Sequence, residues 1–156
     1  MLLAFALVTA AGLASPVNAA PACQSEQSRR AVIAAKFSDD RLMNELADLT
    51  LVAERRVARS VEGLGLGQRE QARLALRLLD APDLADQRAE TERSVEQVFE
   101  RLEAALGRKD EVALCGALVE AAALVPVLAA RAEQQHQAID ASIAAETQKR
   151  LASLLP

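Results

Sequence analysis

Few side chains in this sequence are of types and spacings that do chemistry. His136 is the only histidine. A lone imidazole has no zinc site without partners, and Glu133 and Asp140 offer only carboxylates at helical spacing, so no metal is expected. A hydrogen-bonded boundary position on the face of Ala132, Ile139 and Ile143 accounts for it. Gly63, Gly65 and Gly67 resemble a phosphate cradle in composition alone, because such loops follow a strand and supply a lysine or serine at the next helix start. Here a helical pattern precedes them and Gln68-Arg69 follows. They read as an inter-helix loop.

Arginine is the residue with the most scope. Arg69, Arg73 and Arg77 repeat every four positions along one helix face, a row able to grip a carboxylate or phosphate bidentately. The acidic row Asp86, Glu90, Glu92 and Glu96 on the next helix can neutralise that row if the two helices run side by side. Arg56 lies at the edge of an apolar stripe, where its stem either snorkels outward or points into a polar pocket.

Of three classes of function, a membrane-surface or envelope-stress helical protein is disfavoured by an acidic total without a Lys-rich amphipathic face, and two remain open on these residues. One is a small helical enzyme that works by electrostatics alone, without metal, cofactor or nucleophile, on a small anionic ligand. The secreted chorismate mutases have that design, and Arg56, Arg73, Arg88, Glu92 and Gln135 are similar to such a set of arginines, a glutamate and a glutamine. The family's lysine further along the helix of its first arginine has no counterpart between Arg56 and Leu66. The other class, which the sequence favours, is an exported binding or accessory protein that presents helix faces to a protein partner or to a second copy of itself.

Export is read from the first twenty residues, MLLAFALVTAAGLASPVNAA. An apolar stretch from Leu2 to Val8, small residues after it, and Val17-Asn18-Ala19 form a secretory signal with a small-x-small site. Residues 1–19 are expected to be removed, leaving residues 20–156 as one helical domain. No Lys or Arg precedes the apolar core, a departure from the usual signal. Pro16 and Asn18 end the stretch short of the roughly 20 apolar residues that a stable membrane insertion needs. Ala20-Pro21-Ala22 is a poor match to the box before a lipidated cysteine. A periplasmic or secreted location follows, in which disulfides persist. Cys23 and Cys115, 92 positions apart, are expected to be bonded to each other.

Composition sets further bounds. The net charge is −4 with both signs interspersed, and there is no Trp or Tyr. A nucleic-acid binder would show a basic stripe and stacking aromatics.

Helical periodicity must position all of these residues. A short helix covers about 25–37, and the Ser38-Asp39-Asp40 cluster caps the next. The second helix runs to about 62, with Leu42, Leu46, Leu49, Ala53, Val57 and Leu64 on one stripe. A third covers about 68–80. A fourth starts at Pro82, carries Leu84, Thr91, Val95, Val98 and Leu102 inward, and is closed by Gly107. The last helix, about 110–153, contains Pro126, where a kink is expected. No strand pattern exists, so the fold is all-α: a four- or five-helix antiparallel bundle with a long, Pro-kinked C-terminal helix. That helix, about 66 Å long, must outrun the fourth helix. Ile139, Ile143, Leu151 and Leu154 on its overhang are then expected to form a partner interface, unless the end folds back onto the second helix.

Overall fold

The computed structural model describes residues 21–37 and 40–154; the expected signal segment, residues 1–19, lies outside them. Six helices and no strands make up the described chain: α1 Glu26–Phe37, α2 Arg41–Thr50, α3 Val52–Glu62, α4 Gln68–Leu79, α5 Pro82–Arg108 and α6 Glu111–Leu154. Several boundaries have a local cause. Ser25 starts α1, its Oγ accepting a hydrogen bond from the Ser28 amide at 3.1 Å. Pro82 occupies the first turn of α5, where its missing N–H leaves nothing unpaired.

The expected second helix is two. Thr50 ends α2 by donating its hydroxyl to the Ala47 carbonyl at 2.7 Å, and the Leu51 amide bonds back to Asp48 at 3.2 Å. Both contacts are three-residue closures that compete with the helical ladder. The division separates the targets of the two helices. Leu46 of α2 is buried with Val98, Leu102, Leu118 and Leu128, whereas Ala53, Val57 and Val61 of α3 are buried with Leu74, Leu84 and Ile139. Each fully buried aliphatic side chain contributes about 1.5–3 kcal/mol.

Two expected caps are corrected. Asp40 precedes α2 with a left-handed backbone (φ 35°) and makes no side-chain cap bond, while Ser38 and Asp39 lie outside the described residues. Gly107 does not end α5, which continues to Arg108. Lys109 takes the left-handed position instead (φ 54°), with the Lys109 amide bonded to Leu106 and the Asp110 amide to Ala105, each at 3.0 Å. Asp110 then caps α6, its Oδ1 accepting from Val112 at 3.1 Å and Ala113 at 3.0 Å. Two residues thus close one helix and open the next.

α6 is the axis of the bundle. It passes Pro126 as a single 44-residue helix and packs against α5, α1, α3 and α2. The ion pairs Arg131–Glu90 and Arg101–Glu120 set α5 antiparallel to it. Cys23 and Cys115 are at disulfide distance, Sγ–Sγ 2.13 Å and Cα–Cα 5.8 Å, joining the segment before α1 to the start of α6. Between the two apolar clusters lie the only buried polar residues among those described, Thr91 and Gln135.

The expected interface on the overhang is corrected in its main part. Ile139 is 1% exposed inside the second cluster and Ile143 packs against it. α6 does outrun α5, about 66 Å against about 40 Å, and α3 and α4 pack on the first part of the excess, at Ile139 and Ile143, while most residues after Ile143 are exposed. Leu151 remains 58% exposed. The expectation for the Leu154 side chain falls outside what is described.

Candidate functional site

The arginines singled out by the sequence are dispersed and paired. Arg56 reaches from α3 to α6 and holds Asp140 bidentately, Nε–Oδ1 3.0 Å and Nη2–Oδ2 2.5 Å. That hydrogen bond lowers the Asp140 carboxyl below its ordinary pKa against an opposing effect of burial, and Asp140 in turn raises the Arg56 guanidinium. Arg88 pairs with Glu54, not Glu92, with Nε–Oε1 at 2.6 Å. Arg73 and Glu92 are exposed on α4 and α5, and Gln135 is 3% exposed within α6's inner face. No concavity is lined by Arg56 together with other arginines among the described grooves.

The expected exchange between the rows on α4 and α5 is also corrected. Arg77 approaches Glu146 of α6 at 4.0 Å, and Glu90 is held by Arg131 at 2.9 Å. The reason is packing: α4 lies chiefly on α3, so its arginines do not face the acidic row of α5. His136 stands 3.9 Å from Glu133 with its Nε2 buried and without a protein partner. Among the described residues no three His, Cys, Asp or Glu side chains converge as a metal site would require.

One surface was not singled out by the sequence reading. Helical spacing places Val112, Gly116, Val119, Ala123, Pro126 and Ala130 on one face of α6, opposite the buried Leu114, Ala121 and Leu128. Val112 is 43% exposed and the adjoining Val127 53%. The signal was in the sequence all the same: residues 112–130 contain a single charge, Glu120, so the helix is apolar on every side there. Arg101 holds that one carboxylate.

No known family, curated protein or solved structure matches this chain.

The outer face of α6 is bounded by concavities at both ends. A groove of about 320 Å³ lies between the end of α5 and the start of α6, lined by Arg101, Ala104, Arg108, Ala113, Gly116 and Glu120 among others. The other is a shallow hollow around Pro126, Val127, Ala130 and Gln134. By length and composition α6 is apolar enough to cross a membrane, and one-third of its most apolar 18-residue window is buried within the chain. The helices around it carry charge on their outer sides, as Arg41, Glu45, Glu96 and Glu100 are all exposed.

Proposed function

We propose that this is an exported helical binding or accessory protein that engages another protein through the outer face of α6. The observation that carries the reading is the second apolar stripe of that helix, Val112 to Ala130, which lies opposite the core. A helix that is apolar all round is ordinarily covered on every side, and exposed apolar surface framed by polar residues marks contact sites. Charged outer faces on α2 and α5 favour a protein partner over insertion into lipid, because burying those charges in hydrocarbon is unfavourable. The apolar start of the sequence and its Val17-Asn18-Ala19 site support export, and a Cys23–Cys115 bridge suits an oxidising compartment.

Two measurements test the two halves. Intact-mass analysis of the exported protein should give a chain beginning at Ala20 or within two residues of it; Met1 retained would end the export half. A photocrosslinking residue at Val127 should give discrete protein adducts, and the same probe at exposed Glu62 of α3 should not. Adducts to lipid alone, or none, would end the binding half.

A further inference from the structure

We propose that the outer side of α4 is a second docking surface, separate from the outer face of α6, and that it takes an acidic helix of a protein partner.

The row Arg69, Arg73 and Arg77 is the first observation. All three side chains are exposed, and the packing of α4 on α3 keeps them away from the acidic row of α5. Among the described residues Arg69 and Arg73 pair with no carboxylate, and Arg77 has only its 4.0 Å approach to Glu146, which Arg150 already holds at 3.0 Å. The bundle treats its other facing arginines differently: Arg56, Arg88, Arg101 and Arg131 each meet a carboxylate on a neighbouring helix. A positive strip is thus left open on a chain of net charge −4.

The second is the apolar edge beside that strip. Ala72 and Leu76, one turn apart, are both exposed. At 61%, Leu76 is the most exposed large apolar side chain among those described. Leu74, on the opposite side of the helix, is buried in the second cluster, so the fold itself turns Leu76 outward. An apolar edge flanked by a charged row is how one helix of a pair meets another, the flank selecting the partner by charge.

Spacing and charge then identify the occupant. Four residues of helix rise about 6 Å, so the row steps by about 6 Å and spans about 12 Å. Carboxylates at every fourth position of a second helix repeat at the same interval. A helix laid along α4 can therefore offer one to each guanidinium, a geometry arginine favours, while its apolar residues cover Ala72 and Leu76. A lipid surface fits less well. Glu70 and Asp80, both exposed, stand at the two ends of the row, and with the net negative charge they oppose a continuous anionic plane. Discrete carboxylates on a helix avoid them.

The probe is a synthetic helical peptide with glutamate at every fourth position and leucine beside each glutamate, titrated into the full exported protein at low salt and read by fluorescence anisotropy. Binding should saturate, and it should be lost when the glutamates are replaced by glutamine. Arg69→Gln, Arg73→Gln and Arg77→Gln together should keep the helical circular dichroism and weaken binding roughly tenfold or more. Leu76→Ser should weaken it about threefold, as loss of part of a buried apolar contact. The control is Arg41→Gln, Arg93→Gln and Arg108→Gln together, which makes the same charge change at three exposed arginines outside α4 and should bind as wild type does. Crosslinking through Val127 should be the same in wild type and the α4 triple variant, so the α4 and α6 surfaces stand or fall separately. Absence of saturable binding, or equal losses in the two triple variants, overturns the proposal. Binding to phosphatidylglycerol vesicles without binding to the peptide also overturns it, and assigns the row to lipid.

Discussion

Arg56 of α3 and Asp140 of α6 form a two-pronged ion pair that ties the upper half of the bundle to its axial helix. Asp140 has a lowered pKa, so its linkage has one sign. The contribution is present above the carboxyl's unfolded value, about 3.9, and is lost as pH falls through the lower folded value. Urea unfolding should therefore show Asp140→Asn less stable than wild type at pH 7, with the difference vanishing at strongly acidic pH. The pair is solvent-accessible, so 1 M salt should also shrink the difference. A deficit that persists in acid would assign Asp140 a role other than its charge.

A bridge between Cys23 and Cys115 closes a loop of more than half the chain. In the chain-entropy model such a loop restricts the unfolded state strongly, and replacing both cysteines by serine should lose about 2 to 5 kcal/mol. α1 should loosen first. None of its residues with a described side chain is fully buried, and Arg29 adds only a 3.7 Å contact to Glu111 and a 3.3 Å bond to the Cys23 carbonyl. Hydrogen exchange should find residues 26–37 deprotected in the double serine variant while α5 and α6 stay protected. Two thiols labelled in denatured, unreduced wild type would show that the bridge is absent.

Helices were legible wherever a single stripe repeated, which is why Leu46, Val57, Val95 and Leu102 fell inside as expected. The break at Leu51 was not, because Leu49, Ala53 and Val57 continue one periodic pattern across it and a threonine mid-helix is unremarkable in sequence. Ion-pair partners were illegible for another reason. Whether Arg88 meets Glu54 or Glu92 depends on which helices adjoin, and adjacency is a property of packing that one-dimensional spacing does not contain. The outer face of α6 is hidden in the sequence by its inner stripe, because Leu114, Leu118 and Leu128 already satisfy the helical period. A count of charges between Glu111 and Arg131 would have exposed the second.

The link between α5 and α6 places a lysine where glycine is ordinarily found. Lys109 sits at φ 54°, a conformation that brings Cβ against the carbonyl and costs about 1–2 kcal/mol for a side-chain-bearing residue. Lys109→Gly should therefore stabilise by about 0.5–1 kcal/mol after glycine's greater unfolded-state entropy is set against it. Gly107→Ala should add a similar gain, since α5 continues past it and an added Cβ meets nothing within 4 Å. Thermal unfolding of the two variants and their combination measures both. A drop in melting temperature for Lys109→Gly would mean that the lysine side chain itself is engaged.

Ile139 decides whether the far end of α6 is core or contact surface. Its side chain is 1% exposed among Val57, Val61, Leu74 and Leu84, so truncation leaves a cavity that α3 and α4 can only partly fill. Ile139→Ala should lose about 2–5 kcal/mol. Leu151, three turns further on and 58% exposed, should tolerate the same change within about 0.5 kcal/mol. The contrast separates the alternatives, because a residue waiting for a partner loses little stability in the isolated chain when truncated. Concentration dependence supplies the second readout. If Ile139 is core, the Ile139→Ala deficit in urea unfolding is the same in dilute and concentrated protein. If Ile139→Ala leaves stability unchanged but abolishes self-association, the second cluster does not hold this helix, and the docking surface belongs at residues 132–154 instead of at 112–130.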